Sequence, residues 1–173
     1  MGSLFELLII AVLVAFNGVF VAAEIALVTV RRSRMRQLSD EGNASAKRVT
    51  RMTEQPAGML ATIQTGITFI GFLAAAFAGA SIAGQIADWL RDLGLGGSAD
   101  IIAILIVTIF VSVVTIIFGE LVPKTLALAH AERYALALSR PVEILGRNLS
   151  PVVWVLTTAT HGVTRLLGVR GVN

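Results

Sequence analysis

An all-α integral membrane domain with three spans is the architecture this sequence predicts, and three observations carry the prediction. Of 173 residues, 55% are hydrophobic and only 14% charged, with a mean hydropathy of +0.82, far above a soluble domain's. The apolar residues gather in runs long enough to cross a ~30 Å hydrocarbon core, which takes about 20 helical residues. The charges fall beside those runs, so the net charge of +3 reads as membrane topology and contact with lipid, not as a nucleic-acid surface. With no cysteine in the chain, disulfides and thiolate metal sites are excluded. One domain is expected over residues 1–173.

The first span is expected over about Leu7 to Val30. The residues before it, Met1-Gly2-Ser3-Leu4-Phe5-Glu6, lack the basic region of a signal peptide, and the apolar run is too long for one, so it reads as a retained helix. Asn17 and Glu24 interrupt it. Polar groups in a bilayer are costly, and an ionisable one is a functional-site candidate by default. Seven residues apart, the two share one helix face, and Gly18, Ala22 and Ala23 keep that face thin. The alternative is that Glu24 lies near the cytoplasmic end and pairs with Arg31 or another basic residue.

Arg31, Arg32, Arg34, Arg36, Lys47, Arg48 and Arg51 then oppose only Asp40, Glu41 and Glu54. By the positive-inside rule this loop is cytoplasmic, which puts the N-terminus outside. Its arginines fit orientation and contact with anionic lipid heads. Gly42-Asn43 should break it into two short polar helices.

Pro56 suits a helix start, and the second span is expected over about 57–90. That is longer than one crossing, so a break is expected around Gly79–Gly84. Gly71, Ala75, Gly79 and Ala83 recur every four residues, a stripe that lets helices approach closely. Gln64, Thr65 and Thr68 are polar and read either as interhelical hydrogen-bonding groups or as cation ligands. Asp88, Arg91, Asp92 and Asp100, with the glycine-rich Leu93–Gly97, form an expected short external loop.

The third span, about 99–120, ends in Phe118-Gly119-Glu120-Leu121-Val122-Pro123-Lys124-Thr125. Pro123 has no N–H, so it should free the Gly119 carbonyl from helical hydrogen bonding. In lipid a freed carbonyl needs a partner, and broken backbone is tolerated only inside protein or beside water. A free carbonyl beside the Glu120 carboxylate suits a hard cation held through oxygen. The same residues also fit a helix ending at the membrane surface, with Glu120 and Lys124 as a solvated i,i+4 pair.

Beyond it, Ala131 to Leu138 reads as a short amphipathic helix, and Pro141 and Pro151 should separate two further segments. The last, Leu149 to Leu167, is too polar for a span and fits an interfacial helix with Trp154 at headgroup depth. His130 and His161 are isolated, and no nucleophile, metalloprotease or phosphate-loop motif is present, so no enzyme is expected. The ending at Gly168–Asn173, with no folded cytosolic domain, reads as truncation.

Three pieces together resemble the transmembrane domain of the CNNM/CorC magnesium transporter family (cyclin M-like, with haemolysin-C-type bacterial members). They are Asn17-Gly18-Val19-Phe20-Val21-Ala22-Ala23-Glu24-Ile25-Ala26-Leu27, the loop Arg36-Gln37-Leu38-Ser39-Asp40-Glu41-Gly42-Asn43-Ala44, and Phe118 to Thr125. The resemblance covers essentially the whole chain. It implies a homodimer of three-span protomers in a bacterial or archaeal plasma membrane, with a cytoplasmic cavity and C-terminus. It also implies a juxtamembrane helix belt, about 131–168 here, followed in the family by tandem CBS domains that are absent from this chain. The implied activity is magnesium export by alternating access, with Na+ as candidate coupling ion. Gly119 and Glu120 match the family's helix 3 site, and Glu24 its acidic residue on helix 1. Asn17, Val21 and Ala23 stand where the family has serines, and Gly66, Ile67 and Gly71 where it often has a Gly-Asn pair and a later Asn. Gln64, Thr65 and Thr68 are the residues here that could supply oxygens instead. Since Mg2+ demands close, near-octahedral ligation, these departures leave two alternatives: an organic polycation such as a polyamine, or a membrane anchor for a regulatory domain without transport.

Overall fold

The computed structural model describes residues 2–166, and every regular element among them is helical. Helix α1 (Gly2–Thr29) is followed by two short polar helices, α2 (Arg32–Asp40) and α3 (Ala44–Glu54). Then come α4 (Pro56–Ser81), α5 (Ala83–Asp92) and a 3-10 turn (Gly96–Ser98). Helix α6 (Ala99–Ile116) runs through a π-helical turn (Ile117–Leu121) into α7 (Val122–Ala129), and α8 (Ala131–Leu166) closes the described chain. Three stretches are long and apolar enough to cross a bilayer: Leu4–Thr29, Pro56–Asp92 and Gly96–Ala129.

Local chemistry sets the boundaries. Gly42 adopts φ +91°, a left-handed conformation that a side chain would strain. Asn43 then caps α3, its Oδ1 accepting from the N–H groups of Ser45 (2.9 Å) and Ala46 (3.1 Å). Pro56 occupies the start of α4, where its missing N–H costs nothing. The long second region breaks at Ile82, inside the expected window.

Lipid tails are as apolar as leucine, so close packing and small residues, more than hydrophobic burial, hold spans together. Ala22, Ala23 and Ala26 of α1 are buried, and beside them Leu27, Met35, Val49 and Ile63 close a core shared by α1, α2, α3, α4 and α8. A second cluster joins Ile10 and Val14 to Ala78, Val107 and Val111, and a third joins Ala87 and Leu90 to Ala99 and Ala103. Phe69, Phe72, Ile101, Ile109 and Phe110 stay exposed, an apolar outer surface as a bilayer requires.

Three expectations are corrected. The small residues buried on α4 are Gly66, Ala74 and Ala78, whereas a Cβ built on Gly71 or Gly79 meets nothing within 4 Å. On α4 the packed row is therefore turned about 100°, one helical residue, from Gly71, Ala75 and Gly79, while Ala83 of the same stripe is buried on α5. Asp88, Arg91 and Asp92 lie in α5 and not in a loop, and Arg91 ion-pairs with both Asp88 and Asp100, clasping α5 to α6. Pro141 and Pro151 do not divide the C-terminal region, since α8 passes through both as one 36-residue helix. Both prolines are exposed, so each freed carbonyl can bend outward to another partner while the opposite face stays packed on α1, α3 and α4. Trp154 of α8 is exposed. Leu167 and the Gly168–Asn173 end lie outside the described residues.

Candidate cation site

The joint between α1 and the π-turn is built from absent side chains. A Cβ on Gly18 would sit 2.9 Å from Pro123 Cγ and 3.1 Å from the Phe118 carbonyl oxygen. A Cβ on Gly119 would sit 3.3 Å from Asn17 Nδ2 and 3.4 Å from the Val14 carbonyl oxygen. A glycine on each side thus lets the two backbones meet. Pro123 removes the donor that would have served Gly119 four residues earlier, and the chain widens there into the π-turn.

Asn17 supplies the partner. It is buried, and its Nδ2 donates to the Gly119 carbonyl at 3.2 Å. Its own Oδ1 is buried with no hydrogen-bond partner among the described residues. A buried acceptor left unpaired is uncommon and costs roughly 1–3 kcal/mol. Next to this joint Glu120 ion-pairs with Lys124, one turn on, with side-chain exposures of 45% and 35%. The i,i+4 pair of the alternative reading is therefore formed, though the helix does not end there but continues into α7.

Glu24 is half-buried two turns along α1 and has no ion pair or hydrogen bond among the described residues, so the expected alternative of a pair with Arg31 is not formed. Gln64, Thr65 and Thr68 lie elsewhere. They line a cleft of about 600 Å³ between α4 and α8, together with Phe69, Phe72 and Leu156, and its lining includes neither Asn17 nor Gly119. Thr65 donates its hydroxyl to the Ala61 carbonyl at 2.7 Å. Of the seven residues singled out, the structure brings Asn17, Gly119 and Glu120 to one joint, and Glu24 lies farther along the same helix.

Sequence reading missed Thr115 and the Val14 carbonyl, which wall the joint around Gly119. Thr115 was findable, since it precedes Gly119 by four residues on the same helical face. Among the described residues, no three His, Cys, Asp or Glu side chains come together as a metal cluster. Any cation here would rest on carbonyl and amide oxygens with a single carboxylate, the ligand class of hard ions.

Three long apolar helices with a polar joint buried between two of them define a helical membrane protein with an intramembrane polar site. The chain belongs to the cyclin M family: the family model described as the cyclin M transmembrane N-terminal domain matches residues 8–173. It is 36% identical to UPF0053 protein sll0260 of Synechocystis over 165 residues, 95% of this chain and 37% of that protein. It is 28% identical to UPF0053 protein YhdP of Bacillus subtilis, over 97% of this chain and 38% of that protein. It is 29% identical to UPF0053 inner membrane protein YfjD of Escherichia coli, over 89% of this chain and 33% of that protein. The chain therefore spans well under half the length of these relatives.

Proposed function

We propose that this chain is the membrane domain of a cation transporter, with Mg2+ as the exported substrate and Na+ as the coupling ion. It would work by alternating access, as a homodimer in a bacterial plasma membrane. Membership of the cyclin M family supports the class. The observation that carries the site is Asn17, whose amide spans to the Gly119 carbonyl while its own oxygen has no partner among the described residues. Without a cation, the Asn17 amide N–H satisfies that carbonyl and Lys124 satisfies Glu120. A cation entering the joint displaces both. Rotation of the Asn17 amide then presents Oδ1 in place of Nδ2, so the Gly119 carbonyl, Asn17 Oδ1 and Glu120 face the ion together. The remaining positions stay with water, which Mg2+ gives up reluctantly. Glu24, half-buried and unpaired, adds negative charge along α1. The basic α2–α3 segment supports a cytoplasmic location for that end.

One observation favours the anchor reading, namely the Glu120–Lys124 pair, which neutralises the carboxylate without any ion. Calorimetric titration of the purified chain with MgCl2 separates the readings, with Glu120→Ala beside the wild type and Ca2+ and spermidine as competitors. Saturable Mg2+ binding that disappears in Glu120→Ala is the expected result. Binding of spermidine but not Mg2+ moves the substrate to a polyamine. A folded protein that binds none of the three ends the transporter reading.

A further inference from the structure

We infer that the cleft between α3 and α8 is a phosphate-binding site, filled by the head of an anionic membrane lipid or by a soluble phosphate compound. The cleft, about 320 Å³, is lined by Arg48, Arg140, Glu143, Ile144 and Arg147. That is within the size range of small-ligand sites, about 300–1,000 Å³. Three guanidinium groups thus surround one carboxylate.

The carboxylate is already committed. Glu143 ion-pairs with Arg51, and its other oxygen stands 3.9 Å from Arg48 Nε. Arg140 and Arg147 are exposed and form no ion pair among the described residues. They sit seven residues apart on α8, two turns, so both present to the same side. Two uncompensated guanidinium groups beside a third are a geometry that phosphate oxygens satisfy in bidentate fashion.

The third guanidinium is held before any ligand arrives. Arg48 Nη2 donates to Ser45 Oγ at 2.8 Å and Nε donates to Ser139 Oγ at 3.3 Å. Ser139 has 0% exposure and its hydroxyl donates to the Leu136 carbonyl at 2.9 Å. The anchor is therefore a buried hydroxyl fixed to the α8 backbone, so little side-chain entropy remains to be lost on binding. A neighbouring cleft that shares Arg48 and Glu143 includes Thr50, whose buried hydroxyl has no hydrogen-bond partner among the described residues. The neighbouring cleft thus has an unused polar group as well.

The surroundings suit a lipid source. Ile144 lies between the two arginines and is 44% exposed, and Val152, Trp154 and Val155 follow it, exposed, along α8. Arginines beside exposed aliphatic and tryptophan side chains match a helix lying at headgroup depth, where a phosphate and an acyl chain are met together. A free phosphate needs only the arginines.

The test uses the full chain purified in detergent. Retention of added cardiolipin and phosphatidylglycerol is counted by native mass spectrometry, with phosphatidylcholine as the neutral control, and pyrophosphate is titrated in a separate arm. The variant is Arg140→Gln with Arg147→Gln. A charge-matched reference, Arg31→Gln with Arg36→Gln, removes two exposed cations from the nearby α1–α2 region. Loss of two charge-assisted contacts predicts a drop of about tenfold or more in anionic-lipid affinity for the first pair, and for the reference only the smaller loss that diffuse attraction of exposed arginines to anionic heads accounts for. The same selective loss in the pyrophosphate arm alone assigns the site to a soluble phosphate. Equal losses in both variants, or none in either, overturn the inference and leave a diffuse surface charge. Since both arginines are exposed and unpaired, the melting temperature should not move, which separates ligand loss from unfolding.

Discussion

Replacing Gly18 by alanine tests the joint on which the cation site depends. The new Cβ would lie 2.9 Å from Pro123 Cγ and 3.1 Å from the Phe118 carbonyl oxygen. Ordinary contact between carbon atoms is about 3.5–4.0 Å, so α1 and the π-turn must part by roughly 0.6–1.1 Å. Neither neighbour can swing aside, because one is a proline ring and the other is backbone. Overpacking of this kind costs about 1–3 kcal/mol. Alanine also favours a helix over glycine by up to about 1 kcal/mol, so the reference is Gly84→Ala, where nothing lies within 4 Å of the new methyl. The difference between the two variants isolates the clash. Gly66→Ala belongs between them, since its methyl would meet only the movable Leu145 Cδ2 at 3.1 Å. Thermal unfolding in detergent, read as loss of the monodisperse species on size exclusion, should rank Gly84→Ala above Gly66→Ala above Gly18→Ala. At about 2–4 °C per kcal/mol for a chain of this length, Gly18→Ala should melt roughly 2–12 °C below Gly84→Ala. Equal melting of those two variants would refute the close approach of α1 to the π-turn.

Asn17→Asp removes the donor to the Gly119 carbonyl and sets two acceptors face to face, so stability in magnesium-free buffer should fall by about 1–3 kcal/mol. If the residue's oxygen serves a cation, added MgCl2 should raise the melting temperature of Asn17→Asp more than that of the wild type, and equal shifts would end that role. Gly42→Ala forces a side chain into φ +91°, a loss of about 1–2 kcal/mol expected in the same melt, with binding of Mg2+ unchanged by calorimetry.

The spans were readable because a bilayer imposes length and composition on any helix that crosses it. Pro56, Gly42 and Asn43 marked boundaries for reasons contained in a few residues. Gly119 was readable as a freed carbonyl because the cause, Pro123, stands four positions away. Two kinds of feature were hidden. The rotational setting of α4 depends on which of two plausible small-residue rows meets α1, and the row one residue away, Ala74 and Ala78, is the buried one. The persistence of α8 through Pro141 and Pro151 depends on packing against three other helices, which local sequence does not contain. At the candidate site, Asn17 and Gly119 lie 102 residues apart, so nothing local announced their hydrogen bond.

The strength of the interactions at the joint bears on how it could work. A bare carbonyl or carboxylate in a membrane would cost several kcal/mol, so a site that empties in each cycle needs substitute partners. Those present are weak. Interhelical hydrogen bonds in membranes average about 0.6 kcal/mol and reach about 1.7. An i,i+4 pair as exposed as Glu120–Lys124 contributes about 0.3–0.5 kcal/mol. On the transporter reading, an incoming cation therefore has little to displace, while the empty state never leaves the Gly119 carbonyl or the Glu120 carboxylate without a partner. A strong buried ion pair in the same place would have held the joint shut. A neutral asparagine can serve both states because one amide carries a donor for the empty site and an acceptor for the filled one.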